Sequence, residues 1–142
     1  MVRLVLGVIV GMIVAVATMA GLDLVTHILH PLPNSLRAND YAGIGAYIRT
    51  MPGWALALLA LEWFLGALAG GLVAGIISRR STSVWLVALI VLAAALVNVF
   101  KIPHPLVLQI AAVVAPILAA LIGLRILRGR VLPSLASAVE AS

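Results

Sequence analysis

Residues 4–29 read LVLGVIVGMIVAVATMAGLDLVTHIL, and this stretch decides the class of the protein. Its only ionisable side chains are those of Asp23 and His27, both near its end. A helix needs about 20 predominantly apolar residues to cross a bilayer. Arg3 followed by such a run imitates a secretory signal peptide, but the run continues beyond the small residue Ala20. We therefore expect a transmembrane helix here.

Three more apolar stretches follow along the chain, and Glu62 is the only charged residue in the first of them. The four stretches predict an all-α integral membrane bundle of four transmembrane helices within residues 1–131. The tail over residues 132–142 is expected in the cytoplasm. The three later spans are predicted over approximately residues 54–77, 84–100 and 106–126.

The composition excludes most classes of soluble protein. The 142-residue chain is 65% hydrophobic and only 9% charged, with a mean hydropathy of +1.28. Soluble proteins average about 45–50% apolar and about 25% charged residues, so a soluble globule of this length could not bury so much apolar surface. The sequence contains no cysteine, which excludes a disulfide framework, a thiolate nucleophile and cysteine-ligated metal sites.

The basic residues predict how the chain is oriented. The net charge is +5, but the lysines and arginines are spread thinly between apolar blocks. We therefore expect contacts with membrane lipids and none with nucleic acid. Four spans place both termini on one side, and an excess of Lys and Arg marks the cytoplasmic side. The side with the termini carries Arg3, Arg79, Arg80, Arg125, Arg128 and Arg130, and the other carries Arg37, Arg49 and Lys101.

The outer loop, over residues 31–52, is expected to contain a short helix. Asn39 and Asp40 are suited to cap it, and apolar and aromatic residues follow at helical spacing. This pattern is typical of an amphipathic segment in the membrane interface, with tyrosines at headgroup level. The residues that form the pattern are Tyr41, Ile44, Tyr47 and Ile48.

Glycines at four-residue spacing predict close helix packing. Small residues at such spacing let two backbones approach within a membrane, where packing drives association. We expect these glycines to pack the first span against the second, with self-association of the protein as the alternative. They are Gly7 and Gly11 in the first span, and Gly66, Gly70, Gly71 and Gly75 in the second.

Ionisable and polar residues gather in the outer half of the predicted bundle. Asp23 and His27 are four residues apart and share a helix face, and Glu62 of the second span faces them if the glycines pack the two spans together. Such residues inside a membrane are costly and usually mark a site. The predicted polar cluster consists of Asp23, His27, Glu62, Asn98, Lys101 and His104.

Three hypotheses account for this cluster. It is a hydrogen-bonded network that fixes the packing of the helices, a transition-metal site, or a proton or cation relay. The inner half of the spans is nearly bare of polar residues, which argues against a complete relay path across the membrane. The candidate metal ligands are Asp23, His27, His30, Glu62 and His104.

No catalytic pattern is present in the sequence: there is no phosphate-binding glycine loop and no nucleophile elbow. We therefore expect no enzyme, and no cofactor is indicated. The first functional hypothesis is an accessory or structural subunit of a larger, energy-transducing membrane complex, in contact with other membrane subunits or with itself. The alternative is a small transporter or metal-binding membrane protein that uses the polar cluster.

Several motifs resemble those of a group of small four-helix bacterial membrane proteins of unassigned function. Members of that group tend to have Glu at the position of Asp23 and no acid at the position of Glu62. The resemblance covers approximately residues 7–124, and it implies a bacterial inner-membrane location but no activity. The motifs are Asp23 with His27, Pro31-Leu32-Pro33, Tyr47, Met51-Pro52, Leu65-Gly66-Ala67 with Gly70-Gly71, Asn98, and Ile102-Pro103-His104-Pro105.

Overall fold

The computed structural model describes residues 1–128, and the predicted cytoplasmic tail over residues 132–142 lies outside them. Within this part of the chain every regular element is a helix, and four helices are long and apolar enough to cross a membrane. The predicted fold class, an all-α bundle with a short helix in the first loop, is therefore confirmed. The helices are α1 (Val2–Leu29), α2 (Tyr41–Thr50), α3 (Gly53–Ser78), α4 (Ser81–Lys101) and α5 (Leu106–Arg128).

The largest difference from the predicted spans is at the start of α4, which begins at Ser81, earlier than the apolar run from Val84. The cause is a tight turn after α3. Arg79 adopts the left-handed conformation, with φ of 55°, and ends α3. The Ser83 hydroxyl donates a hydrogen bond of 2.8 Å to the carbonyl of Arg80. These polar residues belong to the turn and the first helical turn, which hydropathy alone does not detect.

Helix α3 is the centre of the bundle and packs against α1, α4 and α5, whereas α1 packs mainly against α3. Turns of only a few residues follow α3 and α4 and reverse the chain, and the glycine contacts place α1 antiparallel to α3. As a result, the start of α1 lies beside the end of α3, at the end of the bundle that carries Arg3, Arg79, Arg80, Arg125 and Arg128. We call this the arginine end and the opposite end, where α2 lies, the α2 end.

The contact between α1 and α3 brings two backbones together at glycines. A Cβ atom added at Gly11 would lie 2.6 Å from the carbonyl oxygen of Gly70, and one added at Gly70 would lie 2.5 Å from that of Gly11. Neither position has room for any side chain. Since apolar surface gains little from leaving lipid, this close packing is what holds the two helices together.

The glycines also set the register of α1 against α3. Gly7 lies against Ala74 and Ser78, Gly11 lies against Gly70 and Ala74, and Gly66 lies against Ala15 and Met19. Each step of four residues forward along α1 therefore corresponds to four residues backward along α3. One further step beyond Met19 and Gly66 places Asp23 opposite Glu62.

Helix α2 lies across the α2 end of the bundle. Asp40 caps it, because the Asp40 carboxylate accepts a hydrogen bond of 2.9 Å from the backbone N–H of Gly43, as predicted. Gly45 lies directly against Pro103 in the turn between α4 and α5. Ile48 is buried in one apolar cluster with Trp63 and Leu108. The helix therefore has an apolar face packed onto the bundle.

Replacing Gly11 by Ala tests the α1–α3 contact. We expect Gly11→Ala to lower the free energy of unfolding by about 1–3 kcal/mol, because the added methyl group meets backbone that cannot move aside cheaply. Gly21→Ala is the matched control in the same helix, since a Cβ atom there would have no neighbour within 4 Å. Unfolding by a denaturing detergent, followed by circular dichroism, measures both. Equal stability of the two variants would contradict the packing described here.

Candidate functional site

A cavity of about 320 Å³ lies at the α2 end, between α1, α3 and α4 and beneath α2. Most of the cavity wall is apolar, and the apolar residues in it include Ile44, Ile48, Met51 and Leu59. Polar side chains from five separate parts of the chain also line it, so the fold brings together residues that are far apart in the sequence. Of the residues singled out from the sequence, those in the lining are Asp23, His27, His30, Glu62, Asn98 and His104.

Helix α1 contributes the side chains of its last two turns. The Nδ1 atom of His27 lies 3.2 Å from the carbonyl oxygen of Asp23 and 3.5 Å from its carboxylate. A carbonyl oxygen only accepts, so this nitrogen is the donor. Thr26 is buried on the same face, and its hydroxyl donates to the carbonyl of Leu22 over 3.1 Å. Thr26 therefore makes its hydrogen bond within the helix. The second oxygen of the Asp23 carboxylate has no hydrogen-bond partner within residues 1–128.

Helix α3 contributes Glu62 and Trp63, which the glycine register holds opposite Asp23. Glu62 is half-buried, and Trp63 is buried with only 6% of its surface exposed. At 1.5 Å per residue, Glu62 lies about 14 Å along α3 from its first residue, and Asp23 lies about 9 Å before the end of α1. Both carboxyl groups are thus within the membrane-spanning part of the bundle, in the half nearer the α2 end.

His104 is held in the turn between α4 and α5. It is 5% exposed, and its Nδ1 atom lies 2.7 Å from the carbonyl oxygen of Ile102. The Gln109 side chain donates a hydrogen bond of 2.9 Å to the carbonyl of His104. Since Nδ1 must donate to a carbonyl, Nε2 is the ring nitrogen that forms no hydrogen bond within residues 1–128. Trp63 lies beside the imidazole, with ring centroids 6.2 Å apart.

Helix α4 contributes Asn98, and the turn after it contributes Ile102. Lys101, which the sequence predicted to belong to the cluster, is exposed and does not line the cavity. It is the last residue of α4, and Ile102 beyond it has extended backbone, with φ of −110° and ψ of 123°. The sequence grouped Lys101 with the cluster by its depth, and depth alone does not give the direction of a side chain.

Aromatic contacts join α2 to the end of α1. The rings of His30 and Tyr47 stack with centroids 5.4 Å apart, and Trp54 meets His30 edge-on at 6.0 Å. The Tyr47 hydroxyl donates to the carbonyl of Pro31 over 3.0 Å. These contacts hold α2 over the cavity as a cover. His30 therefore lines the cavity with its ring stacked on Tyr47 of α2.

A groove of about 280 Å³ runs from the same polar groups along the side of the bundle, between α1 and α4. It shares Asp23, Glu62, Trp63 and Asn98 with the cavity. Its other lining residues are apolar. These are Val16, Met19 and Ala20 on α1 and Val91, Ala94 and Ala95 on α4.

The cavity is rich in groups that accept hydrogen bonds. Within residues 1–128, no hydrogen bond is formed by the Glu62 carboxyl, the Asn98 amide or the Nε2 atom of His104. No buried polar side-chain atom in that range lacks a partner, so these atoms are accessible. His104 is 5% exposed and is one of the residues that line the cavity.

The metal-site hypothesis gains no support from this geometry. In the part of the chain that the structure describes, no three His, Asp or Glu side chains are placed so that they could hold a metal ion. The five candidate ligands line one cavity but do not converge on one point within it. They are Asp23, His27, His30, Glu62 and His104.

No protein-family model, curated protein or solved structure matches the chain. The four long apolar helices identify a small multi-pass membrane protein, and the resemblance to a particular bacterial group stays a prediction.

Sequence reasoning missed the contributions of Thr26, Met51 and Leu59 to the cavity, and it gave Tyr47 and Trp63 no place there. Helical spacing could have found Thr26, which lies on the same face as Asp23 and His30. Leu59 could have been found in the same way, since it lies one turn before Glu62. The position of Tyr47 depends on how α2 packs, for which the sequence carries no comparable signal.

Proposed function

We propose that the protein is a non-catalytic membrane protein that binds a small cationic or hydrogen-bond-donating solute in the α2-end cavity, as a binding protein or a small transporter. The observation that carries this proposal is the convergence of Asp23, Glu62, Asn98 and His104 on one cavity of about 320 Å³. Ligand pockets commonly have volumes of about 300–1,000 Å³, with a few polar groups in a mostly apolar wall.

The charges of the lining support a cation as the solute. Two carboxyl groups, those of Asp23 and Glu62, face the cavity, and among residues 1–128 no lysine or arginine lines it. Ionisable side chains within a membrane-spanning segment are costly unless they face a partner or a water-filled space. A bound cation lowers the cost of ionising these carboxyl groups by compensating their negative charge.

The core below the cavity favours binding or alternating access over an open channel. Toward the arginine end the centre of the bundle consists of the apolar residues Ala15, Ala67, Ala74 and Val87. A polar path therefore does not continue from the cavity to the opposite end in the described structure. In a transporter of this kind, the helices would have to rearrange to open the cavity to the other side.

We further propose a bacterial cytoplasmic membrane as the location, with both termini in the cytoplasm. The arginine end carries more basic residues than the α2 end, where Arg37, Arg49 and Lys101 lie. An excess of Lys and Arg marks the cytoplasmic side of a membrane protein. In this orientation the cavity opens toward the outer side.

Charge-selective thiol labelling tests the proposed binding site, because the chain has no native cysteine. In Leu59→Cys, one helical turn from Glu62, we expect cationic trimethylammonioethyl methanethiosulfonate to react faster than the anionic sulfonatoethyl reagent. A cleft lined by negative charge concentrates cations. The ratio of the two rates should exceed by about tenfold that of Ser35→Cys, an exposed site outside the cavity. Taking a ratio cancels the reactivity of each thiol.

Adding Asp23→Asn and Glu62→Gln to Leu59→Cys should bring the ratio down to that of Ser35→Cys. A ratio that does not respond to these substitutions would contradict a cation-selective cavity.

The same reagents, which do not cross membranes, test the orientation. In intact bacterial cells, Leu59→Cys and Ser35→Cys should both react, whereas Ser81→Cys at the arginine end should react only after permeabilisation. The opposite pattern would reverse the proposed orientation.

A second candidate function is an accessory subunit of a larger membrane complex. The observation that favours it is the exposure of α1, which packs mainly against α3 and leaves a long apolar face uncovered. Examples are Val5 at 55% exposure, Ile9 at 52% and Ile13 at 63%. Lipid covers such a face as well as a partner helix does, so the cavity remains the stronger argument.

Affinity purification from native membranes in a mild detergent tests the second function. An accessory subunit should co-purify with a stoichiometric partner, identified by mass spectrometry. Replacing Ile9 and Ile13 by Ala should weaken the association, whereas the same change at Leu106 and Val107, which are exposed on α5, should not. If the protein migrates alone at every detergent strength, the accessory role is excluded.

A further inference from the structure

The side groove between α1 and α4 shares four lining residues with the cavity, and it faces lipid. The two helices are in contact near Gly11 and Val87, where a Cβ atom added to the glycine would lie 3.2 Å from the valine. Beyond this contact they leave the groove between them. Val16, at 54% exposure, and the exposed residues Ala20 and Ala94 form its rim on the outside of the bundle. Because both helices span the membrane here, the rim is in contact with acyl chains.

The groove and the cavity differ in chemistry but meet at the same residues. The groove wall is made of small and apolar side chains, and its inner end is formed by Asp23, Glu62 and Asn98. These three residues also line the cavity. A molecule that occupies both spaces would place an apolar part between α1 and α4 and a polar part beside the carboxyl groups.

The polar part must supply donors. Within residues 1–128, the free groups of Asp23, Glu62 and Asn98 include three carboxyl oxygens and one amide oxygen, all of which accept hydrogen bonds. His104 adds its Nε2 atom, which is free because Nδ1 donates to the carbonyl of Ile102. His104 is nine-tenths buried and lines the cavity, and its Nε2 atom forms no hydrogen bond within residues 1–128. A primary ammonium group has three N–H donors and one positive charge, and no lysine or arginine of residues 1–128 lines either space to repel it.

We propose that the site binds a single-chain amphiphilic primary amine that enters from the membrane, with its ammonium group between Asp23 and Glu62 and its alkyl chain in the α1–α4 groove. This inference rests on the function proposed above and names the class of ligand. The cavity itself opens at the α2 end, whereas the groove opens along the side of the bundle. The groove is therefore the route by which an apolar chain arrives. The membrane is then the source of the ligand.

Dodecylamine is the probe for this proposal, and binding is measured by calorimetry with the full-length protein in phosphatidylcholine nanodiscs. Titration of protein-free nanodiscs subtracts partition into lipid. Dodecyltrimethylammonium has the charge without N–H donors, dodecanol has the chain without the charge, and ethylamine has the head group without the chain. We expect dodecylamine to bind at least about tenfold more tightly than each of the three, since hydrogen bonds to charged groups contribute substantially.

The variants separate the head-group site from the groove. Glu62→Gln should weaken dodecylamine binding by about tenfold or more. Ala94→Phe fills the groove, so it should weaken dodecylamine binding by a similar factor and leave ethylamine binding unchanged. Ala93→Phe is the matched control, because Ala93 is exposed on α4 but does not line the groove, and it should change neither.

The outcomes distinguish this inference from the proposed function. If ethylamine binds as tightly as dodecylamine and Ala94→Phe has no effect, the cavity still binds cations and the entry of an amphiphile from the membrane is overturned. Equal binding of dodecanol and dodecylamine overturns recognition of the amine. If neither amine binds and Leu59→Cys also shows no preference for the cationic reagent, the proposed function fails together with the inference.

Discussion

The close contact between the backbones of Gly11 and Gly70 is the constraint on which the rest of this structure depends. A side chain at either position would overlap the carbonyl of the other helix, so the two helices can approach only where both residues are glycine. The contact fixes both the distance and the register of α1 and α3. The same register, continued by whole turns, places Asp23 opposite Glu62. The polar site is therefore a consequence of how the apolar part of the bundle packs.

The position of the acids explains how the membrane-spanning part tolerates them. A carboxyl group directed into lipid would be costly, whereas one directed into a shared cavity can meet water or a ligand. Small residues near the crossing allow α1 to lie close to α3, while α1 and α4 separate beyond Val87 and leave the groove. The angle between α1 and α4 therefore produces both features: close contact near Gly11, and an open groove nearer the α2 end.

Hydropathy and spacing predicted the four long helices, the short helix of the first loop and its cap at Asp40, because each depends on local sequence. The glycine spacing also predicted that the first and second spans pack together. Glu62 was expected to face Asp23 if they did. Packing of α2 onto Pro103 could not be predicted in this way, since it depends on contacts between distant parts of the chain. The direction of Lys101 depends on the rotation of α4, and the groove depends on the separation of α1 and α4.

A disulfide between α1 and α3 tests the register most directly. A Cβ atom added at Gly66 would lie 2.5 Å from the Cγ atom of Met19. In Met19→Cys the sulfur takes the place of that Cγ atom, so the pair Met19→Cys and Gly66→Cys brings the two side chains close enough for a disulfide. The absence of native cysteine makes the bond unambiguous. We predict rapid formation under mild oxidation in membranes, and none for Gly21→Cys with Gly66→Cys. If the first pair fails to form the bond, or both pairs form it equally, then Asp23 and Glu62 do not share a site.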